Sequence, residues 1–464
     1  MTLSARTRPV RAFGRAALMA AALLTPFTAL PARAQDGVSL LRDTEIEEIL
    51  HKDAAPLFEA AGLDSKNVEI LLIGSKDLQA SAGPGQMAIY TGLILESKNP
   101  NQLNGVIAHE IAHLAGGHSF RSGDMTKAGL KPMLLTMGLG LLAMAAGAPS
   151  AGAALLGSSG YFGTLGALGY SREQESRADQ AAASYLEKAG QSGKGLVEFF
   201  DNFRYQEVFD EARRFPYFRS HPLSSDRIEL LRGRVERGEH YKVVDTAEAI
   251  AEHEVMKAKL DGFLNPSLSL AKYKETDTSY PARYARAIAY YQTKNPDKAI
   301  KLIDDLLKEQ PDNPYLHELK GQILFEFARA KEAEEPQRRS VELMPNAPLL
   351  RVNLGQTLIS LDDPQKLDEG IAELKRALVH EDDNAVAYRL LGEAYDKRGD
   401  DGLARLATAE GYFSVGATRE ARVFAMRARE LLTKNTVEWR RATDIVLASE
   451  PSDEELKQLA RRGQ

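Results

Sequence analysis

The feature that most constrains the fold is a 34-residue period in the C-terminal half of the chain. Small residues recur at this interval in two registers and proline recurs in a third: Ala287, Gly321 and Gly355; Ala299 and Ala333; Pro311 and Pro345. This period is typical of helix–turn–helix units that stack side by side, with a small residue where the two helices cross. Because three registers agree, coincidental spacing of generic helices is a poor explanation. The period predicts an α-solenoid over residues 281–435, with a concave face suited to protein ligands.

Less regular units are expected to extend the solenoid. A fourth unit follows at 391–395, after an insertion near 362–366, and a degenerate fifth is expected between 411 and 432. Residues 436–464, which include the only tryptophan, are expected to form one or two helices that cap the last repeat. This half contains no recognisable catalytic pattern, so chemistry is expected in the N-terminal half.

The first 34 residues resemble a secretory targeting segment. Arg6, Arg8, Arg11 and Arg15 precede an apolar run, and Ala32-Arg33-Ala34 matches a small-x-small cleavage site. A retained membrane anchor is less favoured, because the run is interrupted by Pro26 and is too short to span a bilayer. Cleavage after Ala34 would remove five arginines and change the formal net charge from −6 to −11.

The amino-acid composition limits the cellular locations and the classes of binding partner that are expected. The chain has no cysteine, which excludes disulfides and a lipid-modified N-terminal cysteine. With the targeting segment, this predicts a soluble periplasmic protein, and export beyond the outer membrane is the less favoured alternative. With 464 residues, two or three domains are expected, and the absence of a basic excess argues against nucleic acid as a partner.

The candidate chemistry lies in His109-Glu110-Ile-Ala-His113. Two histidines four apart on a helix face the same side, so they can both bind one metal ion, and Glu110 can act as general base toward a water at the metal. The alternative is a pair of buried structural histidines. His118 lies five residues beyond His113, off the ligand face, and is interpreted as structural or supporting.

The start of this helix is also encoded locally. Asn99 is a suitable cap, Pro100 suits the first helical position, and Gln102 lies where a capping box needs an acceptor.

Upstream, residues 43–62 read as an amphipathic helix. The runs 68–73, 78–82 and 86–91 read as strands, the last two joined by a Gly-Pro-Gly turn. A small sheet before the helix can hold substrate as an added edge strand, or it can be purely structural.

Residues 129–170 form an insert of unusual composition, rich in Gly, Ala and Leu and almost free of charge. Pro149 divides it into two runs, each short of or near the length that spans a bilayer. Three interpretations remain open: a packed helical hairpin, a membrane-surface or re-entrant element, and a transmembrane hairpin. Small residues suit close helix packing in all three.

A third metal ligand is expected downstream of the insert. Glu175 and Asp179 lie four apart in a strongly helical pattern, so they share a face. One could bind the metal while the other accepts the second N–H of a ligating histidine and so fixes its tautomer. Acidic residues on a helix are more often a solvated face, and only the upstream histidines raise these two above that interpretation.

The combined motifs resemble a known family. His109-Glu110-x-x-His113, a hydrophobic insert, Ser171-Arg172-x-x-Glu175-x-x-Ala178-Asp179 and a later Ser220-His221-Pro222 with Arg227 are the pattern of the zinc endopeptidases related to HtpX and the CAAX prenyl protease. The motifs cover residues 43–235, and the repeats that follow are of tetratricopeptide type.

The resemblance assigns roles to single residues. It implies zinc at His109, His113 and Glu175, Glu110 as general base, and Asp179 and Arg227 as residues that support the ligands from behind. It also favours contact of the insert with a membrane surface. His221 is assigned to the catalytic site with its role open: it can donate a hydrogen bond to the oxyanion, occupy the open metal position as an inhibitory fourth ligand, or serve only the local turn.

The sequence therefore predicts a mainly α-helical protein: a signal peptide (1–34), an α+β zincin-like metalloprotease domain (35–240), a linker helix (241–280), the solenoid (281–435) and capping helices (436–464). The expected function is periplasmic zinc-dependent endopeptidase activity on misfolded or misassembled envelope proteins, in outer-membrane protein quality control. Expected partners are these proteins, the barrel-assembly machinery and, peripherally, a membrane. The rival is a chaperone or assembly scaffold with a latent or structural zinc site; an intramembrane protease is a third reading.

Overall fold

The structure is a computed structural model that describes residues 39–117, 149–203, 221 and 223–449, together with 130, 132–137 and 139. The predicted signal peptide, His118, much of the insert and the last fifteen residues of the predicted capping region lie outside the described residues. The described chain is mainly helical with one small sheet, as the sequence predicted.

The sheet has four strands in the order β1-β2-β4-β3: β1 Ser39–Leu41, β2 Glu69–Gly74, β3 Ala80–Gly83 and β4 Gln86–Tyr90. Strands β3 and β4 form the predicted antiparallel hairpin, whose turn includes Gly85 at φ +74°, a value that favours glycine. Strand β4 pairs in parallel with β2. Alternate residues of β2 and β4 are buried, so one face of the sheet packs on the helices.

Three helices flank this sheet: α1 Thr44–Ala61, α2 Thr91–Glu96 and α3 Pro100–Ala115. Helix α3 carries the two motif histidines and begins as predicted, because the Asn99 side chain accepts a hydrogen bond from the Gln102 N–H at 2.9 Å. The Gln102 side chain in turn accepts from the Lys98 N–H at 3.0 Å. These bonds satisfy N–H groups at the helix start that would otherwise lack partners.

The N-terminal core forms where α3 is enclosed by the sheet, α1 and three later helices: α4 Pro149–Lys188, α5 Lys194–Phe203 and α6 Ser225–Val235. Residues 149–170 of the predicted insert belong to the long helix α4. Within the described part of the chain, no helix combines the length and the apolar character needed to cross a membrane.

The next helices, α7 Ala247–Leu264 and α8 Pro266–Lys272, join the two halves. Helix α7 belongs to both cores: Met256 and Leu260 pack in the N-terminal core, whereas Val255 packs in the core of the first repeat. The region predicted as a linker therefore contributes side chains to the folded units on either side of it.

Up to Ser449, where the described chain ends, five helix pairs follow α8: α9 Tyr280–Gln292 with α10 Pro296–Glu309, α11 Pro314–Glu326 with α12 Ala330–Leu343, α13 Pro348–Ile359 with α14 Pro364–His380, α15 Ala385–Arg398 with α16 Asp401–Ser414, and α17 Thr418–Leu431 with α18 Val437–Ala448. The 34-residue glycines lie at helix crossings: a Cβ on Gly321 would stand 2.3 Å from Gln337 Cγ. Gly411, where a fifth unit was expected to begin, lies in α16, so the fifth pair starts at Thr418.

An ionic cluster ties the repeats to the N-terminal half; we call Asp43, Glu45, Lys259, Tyr284 and Glu318 the seam cluster. Glu45, Lys259 and Tyr284 are buried, whereas Asp43 and Glu318 are half-buried. Lys259 is 3% exposed, and its Nζ lies 2.9 Å from Asp43 Oδ2 and 3.0 Å from Glu45 Oε2. The Tyr284 hydroxyl donates to Glu45 at 2.8 Å. Because a buried charge is costly without partners, these contacts fix how α7 and α9 sit on α1.

Candidate metal centre

Helix α3 directs both motif histidines into the N-terminal core. His109 and His113 are one turn apart, and their Nε2 atoms approach to 3.1 Å. His109 is fully buried and His113 is 8% exposed. The helical spacing thus brings two imidazole nitrogens to one point, as the sequence predicted.

Helix α4 contributes Glu175 and Asp179, which lie on different sides of the two histidines. The Glu175 carboxylate lies 3.3 Å from Nε2 of His109 and 3.3 Å from Nε2 of His113. Asp179, one turn further on, lies behind the histidines, with Oδ1 3.0 Å from His109 Nδ1. A carboxylate at this position favours a proton on Nδ1, so that the Nε2 lone pair can bind a metal.

His221 lies just before α6 and completes the group. Its Nδ1 is 3.0 Å from Glu175 Oε2 and 3.4 Å from His109 Nε2. His109, His113, Glu175 and His221 are all buried, and one potential ligand atom from each lies within 4.8 Å of the others. Of the three roles that the sequence left open for His221, this position matches a fourth ligand.

The spacing of these atoms fits a tetrahedral metal ion. Four donors at the usual 2.0–2.1 Å from zinc would stand about 3.3 Å from one another. In five of the six pairs among His109, His113, Glu175 and His221, donor atoms lie 3.0 to 3.4 Å apart when both Glu175 oxygens are counted, and one donor atom from each residue lies within 4.8 Å of the others. Imidazole and carboxylate are also the donor types that zinc takes in proteins, so the residues present fit this metal.

The pKa values of His109 and Glu175 also favour a positive charge within the donor group. Burial by itself lowers the pKa of His109, but hydrogen bonds with Asp179 and Glu175 outweigh it and raise the pKa to about 10. Burial raises the pKa of Glu175, yet its contacts with the three histidines hold that pKa well below the usual range. The Glu175 carboxylate therefore stays ionised and favours a positive charge among the histidines. A bound metal cation can supply that charge in place of a proton.

Glu110 lies beside the same donor group. It is 1% exposed, and its Oε1 makes no hydrogen bond with the described residues. This oxygen lies 3.7 Å from His221 Nε2. A buried carboxylate oxygen beside a metal-binding group is placed to take a proton from a water bound there.

Arg227 on α6 supports the carboxylates from behind. Its Nε donates to Asp179 Oδ2 at 2.8 Å and its Nη2 donates to Asp179 Oδ1 at 2.9 Å, while Nη1 lies 3.3 Å from Glu175 Oε2. All the residues predicted for the site are thus brought together. Sequence reasoning missed Phe200 on α5, whose ring packs against His109, because a buried phenylalanine in an apolar helix face carries no motif.

Comparisons with known proteins agree with this geometry. Residues 40–235 match peptidase family M48, and residues 270–323 match the tetratricopeptide repeat. The beta-barrel assembly-enhancing protease of Escherichia coli (strain K12) is 24% identical over 391 residues, which cover 82% of this chain and 78% of that protein. A Vibrio cholerae protein that bears the same name provisionally is 27% identical over 340 residues, 68% of this chain and 65% of that protein.

A third relative matches a smaller part of the chain. Metalloprotease YcaL of Escherichia coli (strain K12) is 33% identical over 158 residues, which cover 33% of this chain and 56% of that protein. The chain therefore carries a metalloprotease domain of peptidase family M48, followed by a domain of tetratricopeptide repeats.

Proposed function

We propose that this protein is a zinc-dependent endopeptidase of the bacterial periplasm that cleaves misfolded or misassembled envelope proteins. The observation that carries the proposal is the buried group of four donor atoms with the Glu110 carboxylate beside it. The names of the relatives, beta-barrel assembly-enhancing protease and metalloprotease, support a role in outer-membrane protein quality control. The targeting segment and the absence of cysteine support the location.

In this proposal His109, His113 and Glu175 hold the zinc, and Asp179 and Arg227 keep the ligands in place. Bound zinc supplies a lowered pKa for a water molecule and polarises the peptide carbonyl. Glu110 takes the proton of the attacking water on a carboxylate oxygen and returns it to the leaving amine. Burial of Glu110 strengthens these charge interactions, because little water screens them.

His221 gives this site a closed resting form. Its Nδ1 stands among the donor atoms, where a fourth ligand would leave no position for the attacking water. We therefore infer that His221 must move before a peptide can be cleaved. The same observation favours a second candidate function, a chaperone or assembly scaffold in which the site stays shut.

The repeats are proposed to bind protein clients or the barrel-assembly machinery. Stacked helix pairs present extended surfaces for polypeptides. Contact with a membrane surface remains part of the proposal through the insert: in its described part, Leu134 is 53% exposed and Leu135 is 66% exposed. Such side chains can enter the interface of a bilayer without spanning it.

The test is Glu110→Gln, with Glu173→Gln as control. Glu173 is exposed on α4, where it pairs with Arg177, so the control removes a carboxylate outside the cavity. With an unfolded β-barrel membrane protein as substrate, Glu110→Gln should keep its zinc and lose cleavage, whereas Glu173→Gln should retain both. Because the resting site is closed, each variant is also assayed in a His221→Ala background.

Two results would change the assignment. Cleavage by Glu110→Gln at the wild-type rate would remove Glu110 from the mechanism. If the wild-type protein holds zinc but never cleaves, and Glu110→Gln retains full cellular function, the scaffold is the correct function. Release of the protein from membranes by carbonate washing would separately exclude an intramembrane protease.

A further inference from the structure

Phe200 connects the elements behind the donor group. It lies on α5 with no exposed surface, and its ring centroid is 6.0 Å from that of His109, at an interplanar angle of 88°. On the same ring, the guanidinium carbon of Arg227 lies 5.6 Å from the centroid. Both distances are within the range of favourable aromatic and cation–π contacts.

The two neighbours of this ring are also joined by a carboxylate. Asp179 Oδ1 lies 3.0 Å from His109 Nδ1, while Asp179 Oδ2 accepts from Arg227 Nε at 2.8 Å. His109, Asp179 and Arg227 are at most 4% exposed. Phe200 therefore packs against both ends of a buried row of polar contacts that runs from the guanidinium, through the carboxylate, to the imidazole.

We infer that Phe200 is a positioning residue for His109. The Phe200 ring excludes water from the Asp179–His109 pair and holds the His109 imidazole with Nε2 toward the metal. This inference rests on the proposed zinc site. A smaller side chain would leave a cavity beside a carboxylate and an imidazole, and a cavity with polar partners admits water. Water that competes for Asp179 would loosen the orientation of the ring and the preference for a proton on Nδ1.

A neighbouring residue offers a matched control. Phe199 has the same side chain on the same helix and is also fully buried, and its ring centroid lies 6.3 Å from that of Phe200 and 5.1 Å from that of Phe203. Truncation at either position removes the same atoms from the core, so the loss of stability should be similar. Only truncation at Phe200 should affect the metal.

The experiment compares Phe200→Leu with Phe199→Leu in the full chain. Zinc affinity is measured by competition with a chromophoric chelator, and the access of water to the imidazole by solvent exchange of the His109 Nδ1–H in proton–nitrogen NMR of the zinc-loaded protein. Phe200→Leu should lower zinc affinity about 10- to 100-fold, as loss of a ligand's supporting partner does, and should speed the exchange of the Nδ1–H. Phe199→Leu should bind zinc like the wild type, with slow exchange of the His109 Nδ1–H.

Equal zinc affinity and an equally slow exchange of the His109 Nδ1–H in the two variants would overturn the inference. If Phe200→Leu does not fold, the comparison is made with Phe200→Met and Phe199→Met, because the flexible methionine side chain fills an irregular gap better than leucine does. A wild-type protein that binds no zinc would instead refute the proposed function. The same set of measurements therefore distinguishes a failure of the Phe200 inference from a failure of the proposed zinc site.

Discussion

The contact between α3 and α5 leaves no room for a side chain at Gly105, and this predicts a destabilised Gly105→Ala variant. A Cβ at Gly105 would stand 2.7 Å from Leu196 Cβ and 2.8 Å from both Leu196 Cα and its backbone nitrogen. Ordinary carbon contacts begin near 3.5 Å, so the two helices would have to separate by about 0.8 Å. Gly105 precedes His109 by one turn, so the strain would fall on the helix that carries the ligands.

The magnitude follows from two opposing effects. Alanine in place of glycine favours a helix by about 1 kcal/mol, whereas overpacking against backbone costs about 1–3 kcal/mol. Because the clash is with backbone rather than with a flexible side chain, we expect the cost at its upper end, and a net loss of about 2 kcal/mol.

Gly233→Ala on α6 is the control. The nearest atom to a Cβ at Gly233 is Arg237 Nη1 at 3.5 Å, the end of a flexible side chain, so the substitution should stabilise the protein by about 0.5–1 kcal/mol. The stability of α3 is best measured by hydrogen exchange of its peptides. Tryptophan fluorescence would not report on α3, because the only tryptophan, Trp439, lies in the repeats. A Gly105→Ala variant as stable as the wild type would refute the close packing of α3 on α5.

Three further predictions concern the centre and the seam cluster. His221→Ala should raise the rate of peptide cleavage if His221 is the resting fourth ligand, and a fall in rate would instead favour an oxyanion donor. Removal of metal with a chelator should lower the thermal unfolding midpoint, since zinc at 100 times its Kd stabilises the folded state by about 2.7 kcal/mol; an unchanged midpoint after chelation and zinc addition would contradict a zinc site. Burial raises the pKa of Glu318 from 4.5 to about 8 against the opposing charge of Lys259. A carboxyl with a raised folded-state pKa stabilises the fold at low pH and loses that effect as pH rises through about 8, by at most about 1.4 kcal/mol per pH unit. Glu318→Gln should flatten this part of the stability profile between pH 5 and 9, and identical profiles would show that Glu318 does not titrate in this way.

What the sequence predicted well was local or strictly periodic. The start of α3 depends on Asn99 and Gln102, which act within a few residues of each other, and the His109–His113 pair depends only on helical spacing. The repeats follow from small residues at fixed intervals. In each case the physical cause is visible within one or two turns, or within one repeat.

What the sequence could not resolve depends on contacts between distant residues. His221 is 112 positions from His109, and its role is decided by where the chain before α6 returns to α3. Lys259 reads as a solvated residue in a charged helix, yet it is buried against Asp43 and Glu45, more than 200 positions away. No local pattern distinguishes such residues from surface charges, because their burial is set by the packing of α7.

The position of α7 leads to a last prediction about where the protease domain ends. Met256 is fully buried and Leu260 is 3% exposed, both in the N-terminal core, and a chain of residues 35–240 would lose them. Loss of a large buried side chain costs about 2–5 kcal/mol, so the two together approach the whole stability of a domain, about 5–15 kcal/mol. A chain of residues 35–272 would keep both side chains and the pairing of Lys259 with Asp43 and Glu45. Limited proteolysis and circular dichroism should therefore show a folded core in the 35–272 chain and little or none in the 35–240 chain. If both chains are equally resistant, α7 belongs energetically to the repeats alone, and its contacts with the protease core contribute little to stability.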